Sequence, residues 1–493
     1  MAARPPDGFT GAPHWGSMRR TKILATVGPA TDRADRLLRL LESGVDAFRI
    51  NVSHGTSQEH RATLRRLHQV CRRAHREAAL VVDVQGPKLR IGELAGGSVR
   101  LSRGGRWTLD RDPTLGDENR TFVEIPSFER AARPGDPVFL GDGDVELSVE
   151  STAPGAIRTR VVSAGVVRSH QGLSLPRARL RTTAFGPKDR QDTSLALEEG
   201  FDYLALSFVR DEQDVLTARQ WLDARPAGRS VGIIAKIERA EALASIDAIL
   251  RVADGIMVAR GDLGIEVPLA RLALEQKMLV RRANAAARFS IVATQMLLSM
   301  LTSPRPTRAE ATDVANAVLD GADVVMLSEE SAVGQHPFEA VRWLDRIARA
   351  TEVAFDPLPA RAMVHAREPG GAELSVARAA VNLAENVHAR AIVTPTHSGR
   401  TARLIAALRP TCPVLALSSS ESVRRRLSLV RGVRSFPATA ESDLQSLRKR
   451  SLELYEVAGL SPTGPMVLTA GYPVAGRPTN LVTVVEAEGP PSR

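Results

Sequence analysis

Short apolar runs recur at Lys22–Val27, Ala47–Asn51, Ala79–Val84, Tyr203–Ser207, Val231–Lys236, Gly255–Ala259, Ser290–Thr294 and Asp323–Leu327. Each is followed by a segment whose apolar positions return with helical period. Near-continuous apolar strands alternating with helices predict a parallel sheet covered on both faces. Eight such units predict closure into a (β/α)8 barrel.

One spacing breaks the rhythm. Roughly 120 residues separate the third run from the fourth, too many for a loop or a helical crossover. Within that gap the pattern changes to short strands (Arg106–Leu109, Val138–Leu140, Val145–Val149, Ile157–Val162) and turn signals at Arg133-Pro-Gly-Asp, Gly141-Asp-Gly and Ala153-Pro-Gly. This predicts a small all-β domain inserted after the third barrel strand. Beyond Ala350 a third pattern begins: a helix at Leu374–His388, a strand at Ala391–Thr394, a helix at Thr401–Leu408, a strand at Val414–Leu417, and a last strand pair around a loop at Gly471–Thr479. The expected class is therefore α/β, a TIM barrel with an inserted β-barrel lid and a C-terminal open α/β domain. The expected boundaries are a loose extension over 1–18, the barrel over 19–86 and 187–355, the lid over 87–186, and an effector and assembly domain over 356–493.

Composition narrows the function without naming it. Hydrophobic residues at 43% and charged residues at 25% suit a soluble globular chain, and no run reaches the roughly 20 apolar residues of a membrane span. The Pro/Gly-rich start to Ser17 lacks the apolar stretch of a secretory signal. Cys71 and Cys412 are far apart and have no metal-like spacing, which argues against a disulfide framework and for a cytoplasmic location. The formal charge of +10 comes from scattered Arg with no aromatic interleaving, so nucleic acid is not an expected partner, nor is a membrane. His60, His68 and His75 are expected on one solvated helix face.

In a (β/α)8 barrel the residues just past the C-terminal strand ends converge on one rim. Here they are Arg49, Asn51, Ser53 and His54 after strand two, Asp83 on strand three, and Ser207 and Arg210 after strand four. Strands five and six add Lys236, Glu238, Gly261 and Asp262; strands seven and eight add Thr294, Ser328 and Glu330. Glu238 and Asp262, on adjacent strands, suit a hard cation such as Mg2+ completed by water and substrate oxygens. Lys236 lies two residues before Glu238, so on an extended strand both face the same side. An ammonium beside a carboxylate-held metal is what a migrating phosphoryl group needs, because its transition state spreads negative charge over its oxygens. Arg49 and Arg210 offer bidentate phosphate contacts. None of the lysines (Lys22, Lys88, Lys188, Lys236, Lys277, Lys449) lies in a Walker loop, and there is no nucleophile elbow.

From about Arg19 to Val484 the chain resembles the pyruvate kinases, of the bacterial type. The resemblance rests on Lys22-Ile-Leu-Ala-Thr-Val-Gly-Pro-Ala, Arg49-Ile-Asn-Val-Ser-His-Gly, Ile233-Ile-Ala-Lys-Ile-Glu, Met257-Val-Ala-Arg-Gly-Asp-Leu-Gly, Ala293-Thr-Gln-Met and Met326-Leu-Ser-Glu-Glu. It implies phosphoryl transfer from phosphoenolpyruvate to ADP, giving pyruvate and ATP, with Mg2+ or Mn2+ on Glu238 and Asp262. It further implies Lys236 and Arg49 at the phosphoryl group, Ser207 among the substrate-binding residues, and Gly261, Asp262 and Thr294 at the substrate carboxylate. Thr294, Ser328 and Glu330 would serve the proton relay, and Asn51, His54 and Arg90 the nucleotide. The lid would exclude water, and the assembly would be a homotetramer.

Departures from the family pattern carry their own expectations. In Asp83-Val84-Gln85-Gly86-Pro87-Lys88, Val84 replaces the Thr and Lys88 the Glu of K+-dependent members. With Asn51, Ser53 and Asp83 framing the monovalent-cation region, Lys88 is expected to replace K+, as in the K+-independent subgroup. His170-Gln171 lacks a lid lysine, Arg177 stands where Gly is usual, and Gly141-Asp142-Gly143 carries one Asp where two are common, so weaker ADP binding is expected. Thr394, Thr396, Ser398, Gly399, Arg400 and Thr401 join a strand to a helix start, an anion site that in the family serves a phosphorylated allosteric effector. Two other readings stand beside this one: a catalytically weak metabolite sensor, and a barrel lyase or aldolase using Mg2+.

Overall fold

The structure, a computed structural model, describes residues 19–87, 89–123, 128–141, 143–176, 183–357, 361–362, 364, 371–438, 443–460, 464–471 and 479–486. Eight parallel strands close into a barrel in the order of the chain: Lys22–Thr26, Ala47–Asn51, Ala79–Asp83, Tyr203–Leu206, Gly232–Ile237, Gly255–Ala259, Phe289–Ala293 and Val324–Leu327. The first strand closes the ring by pairing Leu24 with Ala47 on one side and Ala25 with Leu327 on the other. The alternation seen in the sequence thus becomes a barrel because every strand is buried on both faces. Val27, Val84, Ser207 and Thr294 lie outside the strands that the apolar runs suggested, one residue beyond each end. Those residues leave the ladder to form the rim.

Between the third and fourth barrel strands stands the lid. Seven of its strands form one sheet, and Ser98–Leu101 with Gly165–Arg168 forms a two-stranded ribbon. Along Val145–Val149 buried and partly exposed positions alternate, and the buried set packs with Trp107, Leu109 and Ile157 into a separate core. Lid and barrel therefore have independent hydrophobic centres, which allows one to move on the other.

The C-terminal sheet has five strands, in the order Val433–Pro437, Val414–Ser418, Ile392–Pro395, Met466–Ala470 and Leu481–Val485, with the last antiparallel to its neighbour. The helix Glu421–Leu427 and the strand Val433–Pro437 escape a sequence reading: the first is short and carries three arginines, the second has Arg434 and Ser435 side by side and ends on a proline, which breaks the strand period. The expected loop at Gly471–Thr479 falls mostly outside the described residues, as do the 1–18 extension, Lys88, Asp142 and Arg177.

This domain also closes the floor of the barrel. Leu429, fully buried, packs with the inward-facing Tyr203, Phe289 and Met326, a burial worth about 1.5–3 kcal/mol. Around it Arg425 pairs with Asp202, Lys22 Nζ donates to the Val433 carbonyl, and Ala79 N–H donates to Ser428 Oγ. The histidine expectation also needs correction. His68 bonds the Gly200 carbonyl at 2.9 Å, and His75 lies past the helix end with φ +49°.

Candidate active site

The rim is organised around one buried ammonium. Lys236 Nζ lies 2.7 Å from Ser207 Oγ, 3.2 Å from Asp83 Oδ1 and 3.0 Å from Glu238 Oε1, three acceptors for its three protons. Burial alone would lower its pKa, but Asp83 and then Glu238 outweigh that and hold it above the ordinary lysine value. The group is a fixed charge, not a base.

Asp83, 1% exposed, is shared. Its second oxygen accepts from Arg49 Nε at 2.6 Å, and Arg49 Nη1 donates to Thr26 Oγ1. Thr26 in turn donates to the Leu327 carbonyl, so strands one, two, three and eight are braced through side chains. Burial pushes the Asp83 carboxyl up, and Lys236 and Arg49 together bring it below the usual Asp range.

Glu238 has its other oxygen, Oε2, 2.7 Å from the Phe208 N–H. Phe208 makes this contact at φ +55°, a conformation that side-chain-bearing residues rarely adopt. Thr294 and Gln295 share the feature, at +70° and +55°. Such strain gathers where the surrounding structure enforces a functional geometry. Thr294 is held by Arg260, which donates to its carbonyl at 2.7 Å and pairs with Asp313, while Thr294 Oγ1 accepts from the Gly261 N–H at 2.9 Å.

The donor set fits a divalent cation. Glu238 is pushed up first by burial and further by the neighbouring Asp262 charge, against Lys236 and the Phe208 N–H. Two hard carboxylates that repel each other in a buried site, facing one ammonium already shared with Asp83, are short of positive charge. Both line one small cavity of about 40 Å3 with Arg210, whose guanidinium is clasped by Asp214 at 2.8 Å.

The remaining residues are distributed unevenly. Ser328 N–H donates to Glu330 Oε2 and Leu297 N–H to Oε1, so both oxygens of this buried carboxylate are engaged by the main chain. The carboxylate thus ties the segments that follow strands seven and eight. Asn51 Oδ1 accepts from Ser53 N–H, and the His54 carbonyl bonds the His60 ring. Arg90 donates to the His170 carbonyl within the lid. Gln171 Oε1 accepts from Arg168 N–H, and its amide nitrogen crowds the position a Gly141 Cβ would take. In the C-terminal domain, Thr396 Oγ1 accepts from Gly399 N–H, Arg400 pairs with Glu373, and Thr401 bonds Thr479. Ser398 is exposed, whereas Thr394 Oγ1 is buried without a partner. Sequence reasoning missed the Phe208 N–H, and gave no role to Arg260 and no central one to Asp83, although both stand at strand ends where they are legible as rim residues.

Residues 18–341 match the family described as "Pyruvate kinase, barrel domain", and residues 374–485 match "Pyruvate kinase, alpha/beta domain". A pyruvate kinase of Geobacillus stearothermophilus is 38% identical over 470 residues, covering 94% of this chain and 80% of its own length. Those of Thermotoga maritima and Agrobacterium vitis are 36% and 40% identical, over 96% and 95% of this chain and 100% and 97% of theirs. A crystal structure of a pyruvate kinase from Cryptosporidium parvum superposes with a TM-score of 0.90 at 33% identity, covering 95% of this chain and 96% of that one.

Proposed function

The chain belongs to the pyruvate kinase family, and from that premise we propose how its own residues carry the transfer of a phosphoryl group from phosphoenolpyruvate to ADP. The observation that carries the assignment is the Lys236 ammonium held by Asp83, Ser207 and Glu238 at the barrel rim. Its charge, kept on by two carboxylates, faces the phosphoryl oxygens as they pass between donor and acceptor. Arg49, oriented by Asp83 and Thr26, supplies a second cation on the same side.

Glu238 and Asp262 would hold Mg2+ or Mn2+, which supplies the charge neutralisation that the transfer requires. The substrate carboxylate competes with Thr294 Oγ1 for the Gly261 N–H. Thr294, Ser328 and Glu330 form the relay through which a proton reaches enolpyruvate, with Glu330 holding the Ser328 N–H. Asn51, His54 and Arg90 form the nucleotide side. A coupled assay of ATP formation from phosphoenolpyruvate and ADP, dependent on Mg2+, tests this reading; no turnover with any divalent metal overturns it.

We further propose that K+ is not required. Val84 is buried in the barrel core and carries no side-chain oxygen, and Asp83 is already neutralised by Arg49 and Lys236. Lys88, outside the described residues, provides the replacement charge. Initial rates with and without K+ decide: equal rates are expected, and a large activation refutes the proposal. The strand-to-helix turn Thr394–Thr401 is proposed as the seat of a phosphorylated activator, supported by the unpartnered Thr394 hydroxyl; a panel of sugar phosphates and AMP in the same assay tests it. From the family resemblance and the two unpaired cysteines, the chain is proposed to act as a cytoplasmic homotetramer. Among the described residues no helix is long and apolar enough to cross a membrane.

A further inference from the structure

Glu266 ends the short helix Arg260–Glu266 that carries Asp262. Its side chain is 3% exposed, and it stands in the wall between the cavity holding Glu238 and Asp262 and a second cleft of about 960 Å3 between lid and barrel. Neither the transfer nor the metal pair uses it. Two groups at its Oε1 offer positive charge or a proton: the lid Ser174 Oγ donates at 3.4 Å, and Arg239 Nη1 lies 3.5 Å away. Its Oε2 is buried with no partner. Arg239 directly follows Glu238 and is also held by Glu241, at 3.2 Å. One carboxyl therefore touches both the lid and the segment that presents Glu238.

We propose that Glu266 is a positioning residue for phosphoryl transfer, tying lid strand Gly172–Ser174 to Arg239 and so setting where the lid rests over the active-site cleft. The proposal depends on the lid-and-rim reading above. The ionised form makes the tie, since both groups at Oε1 favour a carboxylate. Burial opposes ionisation and, with Glu241 adding to it against Arg239, the Ala240 N–H and the Ser174 hydroxyl, raises the carboxyl to about 7. The charged and polar groups facing it are Arg239 and Glu241 from the segment after barrel strand five and Ser174 from the lid, with Asp262 one turn earlier on its own helix. Raising the pH through neutrality therefore seats the lid, and lowering it loosens the lid.

The test compares wild type, Glu266→Gln, Ser174→Ala and the double variant in the Mg2+-loaded enzyme, as kcat/KM from pH 6 to 8.5. Gln mimics the protonated form and cannot titrate. The ratio of wild type to E266Q is expected to stay near one at low pH and reach about tenfold at high pH. S174A should show the same trend, and the double variant should lose no more than E266Q alone. E266Q should unfold no earlier than wild type at pH 8, because it removes a costly buried charge. A ratio independent of pH, or losses that add in the double variant, overturns the proposal. Wild-type turnover with Mg2+ stands or falls separately, so failure here is distinct from failure of the underlying reading.

Discussion

Arg409 grips both oxygens of Asp323, at 2.8 and 3.1 Å, across the seam between the C-terminal domain and the barrel, with each side chain 4% exposed. Arg409 lies just beyond the helix Arg400–Ala407, which starts at the proposed effector turn; Asp323 immediately precedes barrel strand eight, which leads to Ser328. The pair is thus a rigid strut between the two sites. Arg409→Met takes the ion pair from the buried Asp323 and leaves it the weaker donors of Ser290 and the Arg431 N–H, which should cost about 3–5 kcal/mol, seen as a lower urea midpoint. Adding Asp323→Asn should recover much of the loss, because the uncompensated charge is gone.

Lys236→Met removes the charge that faces the phosphoryl group while leaving the barrel packing nearly unchanged. kcat should fall by roughly 10²–10³ or more, with a much smaller change in KM for ADP. Steady-state kinetics at saturating Mg2+ read this directly. A loss confined to KM would remove the residue from the transfer step.

Asp83 gives a pH signature. Its folded-state pKa lies below the ordinary Asp value, so its contribution to stability is complete above that value and is lost only as the pH falls through the depressed one. Asp83→Asn should be less stable than wild type by about 3 kcal/mol near neutrality. The gap should close in acid, measured by denaturant titration at a series of pH values.

Cys71 and Cys412 are buried, and burial raises their thiols to about 11 and about 12. The thiolate is the reactive form, so neither should react with a thiol reagent at pH 8 in the native enzyme. Both should react on unfolding. Rapid native labelling of either would contradict the packing described.

How much of this was visible in the sequence follows from what each element depends on. The eight barrel strands are buried on both faces, so their apolar runs announce them, and the polar residues that follow them converge by topology alone. Lys236 and Glu238 share a side because a strand has period two, and the structure has them 3.0 Å apart. The Phe208 N–H on Glu238 depends on a left-handed backbone that no residue type advertises. The place of Glu330 on the rim is legible, whereas its two main-chain donors, Leu297 beyond strand seven and Ser328 beyond strand eight, are not. The floor of the barrel was illegible for a similar reason: Leu429 sits in an Arg-rich stretch that reads as surface.

That floor has a consequence for how the molecule is made. A ribosome releases Lys22 and every later barrel strand well before it releases Leu429, so the nascent barrel must wait with its greasy lumen open at one end. Until the last fifth of the chain emerges, that opening is a place for chaperones to hold or for neighbouring chains to stick. A chain cut short after the eighth strand should therefore come to grief by clumping during synthesis, even though every catalytic side chain is present in it.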